Sequence, residues 1–281
     1  MSSQAIGAEA PQPKPFLKWA GGKRKLAPEI MKLFPEKFGT YYEPFLGGGA
    51  VFLALQPKRA VLSDVNEELI QTWKAIKHNP EALIDQLETV QELYNDRDDH
   101  EAFYLRERSR YKPAVHVDCA ARMIFLNRTC FNGLYRVNKS GKFNVPWGQR
   151  ESVSFDYENL RAVSAALQAA ELRCCDFAYI KPRKGDLVYL DPPYVPLNPT
   201  STFTTYTPGG FGEHEQARLA GAADVWVRRG VHVVISNSNT PLVRKLYPKS
   251  HWKHHKVRAR RNINSKGNKR GPVTELLITQ R

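Results

Sequence analysis

The segment Tyr41-Tyr42-Glu43-Pro44-Phe45-Leu46-Gly47-Gly48-Gly49 contains the strongest fold signal in this 281-residue chain. Its apolar run, Tyr41–Leu46, is typical of a buried strand, and the three glycines that follow lead into a helical pattern over Ala50–Leu55. Glycines at such a place let the backbone turn tightly and approach a ligand closely. The stretch therefore predicts a strand, a ligand-binding turn and a helix, in that order.

Strand-like and helix-like patterns alternate on both sides of the middle of the chain. Short apolar runs predict further strands at Ala60–Leu62, Glu171–Cys174, Leu187–Leu190 and Val231–Ile235. Helical periodicity predicts helices at Glu67–His78, Glu158–Ala170 and Glu213–Arg229. Alternation of this kind predicts a parallel, doubly wound α/β sheet.

Residues 80–149 differ from the rest because they show helical periodicity and few strands. The clearest helices are Glu81–Tyr94 and Ala120–Asn127, and the later segment Phe131–Gly148 is rich in Asn, Gly, Lys and aromatic residues. That composition favours a loop or hairpin at a binding surface. We therefore predict a flexible leader over 1–14, an α/β domain formed by 15–79 and 150–281, and a mainly helical domain inserted over 80–149.

Positive charge is segregated along the chain. Lys and Arg number 42 against 28 Asp and Glu, which gives a formal net charge of +14. No acid occurs from Val225 to Thr274 or from Cys119 to Arg150. Such segregation is expected of a protein that neutralises phosphates, and we favour nucleic acid over a merely solvated basic surface.

Several classes of protein are disfavoured by composition. No apolar run is long enough to span a bilayer, and the first residues lack the apolar core of a signal peptide, so we expect a cytosolic protein. The four cysteines form no CxxC pair, which argues for reduced thiols and against zinc. His251, His254 and His255 lie among lysines, and we expect a basic strand there rather than a metal site.

A second motif, Asp191-Pro192-Pro193-Tyr194, directly follows an apolar strand. The prolines fix the backbone and aim the carbonyl of Pro192, and Asp191 places a second acceptor beside it. Two acceptors can hold both hydrogens of an exocyclic amine and favour its nucleophilic, pyramidal form, while Tyr194 offers a ring on which an extruded base can stack. A plain proline turn is the weaker alternative.

Two further features indicate a cofactor. Asp64 ends the strand that follows the glycine loop, where a carboxylate accepts both hydroxyls of a ribose. Loop and acid together indicate an adenosine-containing ligand without separating NAD from S-adenosylmethionine. In Phe16-Leu17-Lys18-Trp19-Ala20-Gly21-Gly22-Lys23, Lys23 could bind a carboxylate and Trp19 could pack on a cofactor, although a Trp that anchors the amino terminus explains this segment equally well by itself.

With these motifs in place, the sequence resembles the Dam-like, D12-class DNA adenine-N6 methyltransferases. FLKWAGGK, EPFLGGGAVF, LSDVN and DPPY stand in that family's order, and the resemblance extends through residues 127–136, 141–148, 199–206, 236–237 and 260–271. It covers nearly the whole chain from Pro15 onward. The resemblance implies a Rossmann-like methyltransferase sheet, S-adenosylmethionine as methyl donor, and transfer to N6 of adenine in double-stranded DNA.

The resemblance also implies a role for individual residues. The cofactor would be bound by Trp19, Lys23, Phe45, Gly47, Gly49, Asp64, Asp176, Phe177 and Asp191, and the catalytic residues would be Asp191, Pro192, Pro193 and Tyr194. DNA would be bound by Lys18, Phe131, Asn132, Leu134, Arg136, Arg260 and Asn262. Many relatives recognise GATC, and side-chain chemistry agrees in part, because Arg136 can pair with guanine and Leu134 can contact a thymine methyl.

Two alternative functions stay open from the sequence. One is a DNA-binding protein that has lost catalysis, against which the intact motifs argue. The other is an amine methylase acting on cytosine N4, RNA or a glutamine amide, although such enzymes more often carry Ser or Asn at the position of Asp191. We expect a monomer without a metal, in bacterial or phage-infected cytoplasm, with any cognate restriction nuclease not held in a stable complex.

Overall fold

The computed structural model describes residues 11–110, 116–196, 210–260 and 272–281. Within them lies a seven-stranded sheet with the order β3-β2-β1-β4-β5-β7-β6. The strands are β1 (Tyr41–Glu43), β2 (Ala60–Asp64), β3 (Ala170–Cys174), β4 (Leu187–Leu190), β5 (His232–Ser238), β6 (Trp252–Arg260) and β7 (Pro272–Gln280).

Helices connect the strands in the predicted alternation. They are α1 (Ala27–Met31), α2 (Ala50–Leu55), α3 (Glu67–His78), α4 (Pro80–Asn95), α5 (His100–Ser109), α6 (His116–Thr129), α7 (Tyr157–Leu167), α8 (Glu213–Arg228) and α9 (Pro241–Leu246), with single 3-10 turns at Phe131–Gly133 and Phe177–Tyr179.

The predicted strands and helices are confirmed, with shifts of up to three residues at most ends. The first strand stops at Glu43 rather than Leu46, because Pro44 has no N–H to donate to a sheet. The short helices α1 and α9, together with α5 and β7, were not predicted.

The sheet is mostly parallel, and β7 is its exception. β1, β2, β3, β4 and β5 pair in parallel, whereas β7 runs antiparallel to both β5 and β6. The prediction of a parallel sheet is therefore wrong at this edge. The physical reason is the short passage from β6 to β7 through residues 261–271, since a parallel pair needs a longer crossover. The predicted Rossmann-like, doubly wound α/β class is confirmed.

Both faces of the sheet are covered, which explains its continuous apolar strands. In β4, Leu187 and Tyr189 pack with α1–α4, α6 and α7, whereas Val188 and Leu190 pack with α8 and α9. All four side chains are buried. The helices leave the carboxyl ends of β1, β2, β4 and β5 along one edge of the sheet, and open α/β sheets bind ligands at that edge.

The helices of residues 80–129 are attached firmly to the sheet domain. Several residues of α4 and α6 belong to the same core as α3, and a second cluster around Tyr94, Tyr104 and Phe125 joins the helices to residues 130–147. A buried ion pair, Arg122 Nη1 to Glu68 Oε1 at 2.8 Å, ties α6 to α3. The limits of an inserted domain at 80 and 149 stay a prediction.

Candidate active site

The segment Asp191-Pro192-Pro193-Tyr194 leaves the carboxyl end of β4, between β1 and β5. Gln216 Nε2 donates to the Pro193 carbonyl at 2.7 Å, and Asn237 Nδ2 in turn donates to Gln216 Oε1 at 3.0 Å. No hydrogen bond from the described residues occupies the Pro192 carbonyl. Gln216 and Asn237 therefore fix the loop, and the role of the Pro192 carbonyl as a second acceptor beside Asp191 stays a prediction.

Lys23 is the ionic partner of Asp191. Its Nζ lies 2.9 Å from Asp191 Oδ1, donates to the Gly21 carbonyl at 2.6 Å, and stands 4.7 Å from the centre of the Tyr194 ring. Burial raises the pKa of Asp191, and the Lys23 charge and hydrogen bond partly offset that rise. Lys23 therefore favours the ionised, accepting form of Asp191. The role predicted for Lys23 in binding a cofactor carboxylate stays a prediction.

Tyr194 is held from the other side by Glu275, a residue that sequence analysis missed. The Tyr194 hydroxyl donates to Glu275 Oε2 at 2.9 Å, and Glu275 on β7 is buried. Burial, together with the charges of Asp191 and Glu275, raises the pKa of Tyr194 well above its usual value, so the hydroxyl stays a donor. The available signal was a lone acid directly before the apolar run Leu276–Ile278.

A second buried acid, Glu43, lies at the end of β1. It accepts hydrogen bonds at Oε2 from the Tyr41 hydroxyl at 2.8 Å and from the Phe52 N–H at 3.1 Å. Burial raises the pKa of Glu43 to about 8, and the charge of Asp191 adds to the effect. Glu43 therefore joins the start of α2 to the strand beneath the site.

The glycine loop is wedged between two indole rings. Gly47 and Gly49 have φ of +48° and +61°, a region that favours glycine. A Cβ on Gly47 would lie 2.7 Å from Trp19 Cδ1, and one on Gly49 would lie 2.6 Å from Trp73 Cη2. Trp73 Nε1 also donates to the Gly47 carbonyl at 3.1 Å. The predicted cofactor residue Trp19 thus packs against the loop, and the missed residue Trp73 supports it.

Asp64 has the geometry of a ribose-binding carboxylate. Its Oδ2 accepts from the Gly47 N–H at 3.1 Å, and its Oδ1 accepts from the Asn66 N–H at 3.0 Å. Each carboxylate oxygen can accept a further hydrogen bond, so both can still receive a hydroxyl. Burial raises the pKa of Asp64, and these backbone bonds act against the rise. The carboxylate and the adjacent glycine cradle fit the adenosine part of S-adenosylmethionine.

The predicted adenine-binding pair, Asp176 and Phe177, lies in an aromatic cluster near the glycine loop. Phe177 is buried, with its ring centre 5.7 Å from that of Phe45 and 6.2 Å from that of Phe211. Both Asp176 oxygens accept from the Arg218 guanidinium, at 2.8 and 2.7 Å. The structure thus places Phe45 and Phe177 together, and it engages Asp176 with Arg218. Their cofactor roles stay predictions.

Residues 130–147 form a hairpin, called here the recognition hairpin after the DNA-binding role that the sequence predicts for it, and that role stays a prediction. Antiparallel bridges join Cys130 to Trp147 and Val137 to Phe143. On its outer side Phe131 has 46% of its surface exposed, Asn132 adopts a positive φ of 56°, and Leu134 is half-buried. Arg136 is exposed, and its Nε donates to Asn144 Oδ1 at 2.7 Å.

Asn127 joins the recognition hairpin to the first motif, and sequence analysis gave it no role. Its side chain accepts from the Lys18 N–H at 2.8 Å and donates to the carbonyls of Lys18 and Gly133 at 2.9 and 3.1 Å. The Trp19 and Tyr135 rings are also in contact, 5.2 Å between centres. Lys18, predicted to bind DNA, is therefore adjacent to the hairpin.

The remaining DNA-binding predictions fall on or beyond the limits of the described structure. Arg260 is the last residue of β6, and Asn262 lies outside the described residues, as does the segment 199–206.

Within the described part of the chain, no group of three or more His, Cys, Asp or Glu side chains is placed to hold a metal ion. No helix of that part is long and apolar enough to cross a membrane.

The sheet order with an antiparallel β7, and the glycine loop, Asp64 and DPPY at its carboxyl edge, define a Rossmann-like methyltransferase that uses S-adenosylmethionine. Residues 19–263 match the model of the D12 class N6 adenine-specific DNA methyltransferases, and the chain belongs to that family. The enzyme transfers a methyl group to N6 of adenine in DNA. The alternative of a silent DNA-binding protein, and that of a methylase of another amine, are therefore set aside.

Three relatives match this chain along almost their whole length. A type II methyltransferase from Lactococcus lactis subsp. cremoris is 40% identical over 276 residues, which cover 95% of each chain. A type II methyltransferase from Methanocaldococcus jannaschii is 41% identical over 286 residues, covering 94% of this chain and 98% of the relative. The DNA adenine methylase of Escherichia coli K12 is 36% identical over 265 residues, covering 93% of each chain.

Proposed function

We propose that the enzyme methylates the adenine of GATC in double-stranded DNA after flipping that adenine out of the helix. The observation that carries the proposal is the fixed Asp191-Pro192-Pro193-Tyr194 loop, in which Lys23 Nζ lies 2.9 Å from Asp191 Oδ1 and 4.7 Å from the centre of the Tyr194 ring. A base inside a duplex cannot reach such a loop, so the target nucleotide has to leave the stack.

Asp191 and Pro192 act on the amine of the flipped base. The two N6 hydrogens donate to Asp191 and to the Pro192 carbonyl, which draws the nitrogen lone pair out of conjugation with the ring. Tyr194 stacks on the adenine and holds it in line. When bound, S-adenosylmethionine would supply an electrophilic methyl group for in-line displacement, its S–C bond breaking as the N6–C bond forms. Asp191 would take the proton that N6 releases.

The supporting residues prepare that geometry before DNA binds. Lys23 orients Asp191, Glu275 holds the Tyr194 hydroxyl, and Gln216 fixes the Pro193 carbonyl. Preorganised groups need no reorganisation during the reaction, which is where such sites gain most of their rate. The cofactor's ribose would be bound by Asp64, and its remaining surface would pack on Trp19, Phe45 and Phe177.

We assign base recognition to residues 80–149 and in particular to the recognition hairpin. The Arg136 guanidinium can pair with guanine O6 and N7 in the major groove, Leu134 can meet a thymine methyl, and Phe131 can fill the space that the adenine leaves. Lys18 lies against Gly133 of the hairpin and would contact a neighbouring base. Arg260 and Asn262 would hold phosphates near the flipped nucleotide. The monomeric state, the bacterial or phage-infected cytoplasm and a separate restriction nuclease belong to the same proposal.

Sequencing of DNA treated with enzyme and S-adenosylmethionine tests the proposal directly. We expect N6-methyladenine within GATC, together with resistance to a nuclease that cleaves only unmethylated GATC. Methylation confined to another sequence would remove the GATC assignment. The variant Asp191→Ala should lose methyl transfer while retaining DNA binding, and a fluorescent 2-aminopurine at the target position should brighten on binding if the base is flipped.

A further inference from the structure

A cavity of about 770 Å³ opens at the amino ends of β1, β2 and β4 and extends over the face of the sheet to Arg173 of β3. Its walls come from the segments before β1, before β2 and before β4, together with β3. We call it the cationic cavity because its lining includes six basic residues: Lys58, Arg59, Arg173, Lys181, Arg183 and Lys184. Asp186 is the single acid among the lining residues that the structure describes.

The Asp186 carboxylate binds backbone N–H groups rather than the basic side chains of the cationic cavity. The Thr40 N–H donates to Asp186 Oδ1 at 2.8 Å, and the Arg183 N–H donates to Oδ2 at 2.7 Å. Gly39 N–H further donates to the Gly185 carbonyl at 2.9 Å, and a Cβ on Gly39 would lie 2.5 Å from Asp186 Oδ1. The carboxylate therefore joins two loops into a rigid floor.

Most of the cations have no carboxylate partner. Arg173 pairs with Glu171 at 2.7 Å. The other five cations of the cavity form no ion pair with any acid of the described residues. Unpaired like charges on one concave surface repel each other, and an anionic ligand relieves that repulsion.

The cavity is open because the chain takes a short route from β3 to β4. Residues 175–186 contain only the 3-10 turn Phe177–Tyr179, so no helix of the described chain covers β2 and β3 on this face. Helices α8 and α9 cover β4, β5 and β7 instead. Tyr42 and Arg173 therefore line a recess where a doubly wound sheet ordinarily carries a crossover helix.

We propose that the cationic cavity binds phosphates of duplex DNA that lies outside the base pairs held at the active site. The inference rests on duplex DNA as the substrate. Asp186 and Asp191 stand at opposite ends of β4, about 16 Å apart at about 3.3 Å per residue, so the nucleotide held at Asp191 does not reach the Asp186 end of the cavity. Flanking DNA supplies one phosphate charge per about 1.7 Å of helix, which matches a row of cations. A free phosphate compound is the other source of the same chemistry.

A series of duplexes with one GATC and lengths from about 12 to about 60 base pairs tests the proposal, since each base pair adds about 3.4 Å. The test variant carries Lys58→Gln, Lys181→Gln and Arg183→Gln, which are exposed side chains. The control variant, Lys245→Gln, Lys249→Gln and Lys253→Gln, removes the same charge at the far end of the sheet from β3. These lysines belong to the acid-free stretch 225–274, so the comparison between the two variants is how each loss depends on duplex length. We expect the test variant to bind long duplexes five- to thirty-fold more weakly and short duplexes normally. The slope of log K against log salt on long DNA should fall by about 2 to 3, or about 0.9 per lost phosphate contact.

Three results would overturn the inference. The first is a loss in the control variant that grows with duplex length as steeply as the loss in the test variant, and the second is the same loss in the test variant at every duplex length. The third is tight binding of pyrophosphate, abolished by the test variant, with unchanged binding of long DNA, which would assign the cavity to a free phosphate compound. Methyl transfer to the short duplex is measured in parallel. Its absence in the wild-type enzyme would count against the proposed function and not against the cavity.

Discussion

The Tyr194 hydroxyl lies 2.9 Å from Glu275 Oε2, and the two residues are 81 positions apart in sequence. The bond links the loop after β4 to β7 across β5. We expect Glu275→Ala and Tyr194→Phe each to lower kcat about tenfold with little change in KM for DNA, since a hydrogen bond to a charged group contributes about 1.5–3 kcal/mol. Steady-state kinetics on a short duplex measures both constants.

The double variant shows whether Glu275 acts through Tyr194. If it does, Glu275→Ala combined with Tyr194→Phe should cost no more than either change alone. Glu275→Gln keeps an oxygen that can accept the bond and should recover most of the rate. Additive losses would show that Glu275 works by a route that does not involve Tyr194.

Removing Lys23 should move the pH dependence of the reaction. Asp191 has to be ionised to accept from the amine, and burial already raises its pKa while Lys23 opposes that rise. Lys23→Met therefore raises the pKa of Asp191 further. Because the reaction needs ionised Asp191, the activity of the variant should begin to fall at a higher pH than that of the wild-type enzyme as the pH is lowered. We expect kcat at pH 7 to fall about tenfold or more, as for a lost charge-assisted hydrogen bond, and to recover partly at alkaline pH.

Lys23→Arg serves as the control, because it keeps the positive charge beside Asp191. Profiles of kcat against pH for the three proteins should show the acidic limb displaced in Lys23→Met alone. The dissociation constant for S-adenosylmethionine, measured by calorimetry, separates this effect from weaker cofactor binding. An unmoved acidic limb in Lys23→Met would contradict the assignment.

Gly49 should tolerate alanine poorly for two separable reasons. Its φ of +61° is unfavourable for alanine by about 1–2 kcal/mol, and the new Cβ would meet Trp73 Cη2 at 2.6 Å, an overpacking that adds about 1–3 kcal/mol. Gly185 has a φ of +83° with no atom within 4 Å of a built Cβ. We expect urea denaturation to show a clearly larger loss for Gly49→Ala than for Gly185→Ala. Equal losses would mean that the contact with Trp73 adds nothing.

Arg136 should affect the discrimination between DNA sequences more than the affinity for DNA. A bidentate contact to guanine is worth about 1–3 kcal/mol of discrimination, and lysine cannot reproduce the planar fork. We expect Arg136→Lys to reduce the preference of kcat/KM for GATC over a duplex with the guanine replaced by about five- to one-hundred-fold. Lys139→Ala, at the exposed tip of the recognition hairpin, should weaken both duplexes alike. An equal effect of Arg136→Lys on both duplexes would exclude it as the guanine reader.

Much of the fold and of the site could be predicted because the relevant signals are local. The apolar runs of β2 and β4, the glycines after β1 and the acids Asp64 and Asp191 each lie within a few residues of a strand end. Parallel strands then bring their carboxyl ends to one edge of the sheet without further information. The antiparallel β7 could not be predicted in this way, since its place between β5 and β6 depends on pairing with strands distant in sequence.

The chemistry of DPPY follows from the local sequence, because an apolar strand that ends in Asp191, two prolines and Tyr194 can present two acceptors and one ring. The residues that hold this loop become apparent in the folded chain alone. Lys23 comes from the segment before β1, Gln216 from α8 and Glu275 from β7, and each bonds to the loop only after the sheet has assembled. Hydrogen bonds and ion pairs need their atoms within about 3 Å, and spacing along the chain carries no such information for residues on different elements.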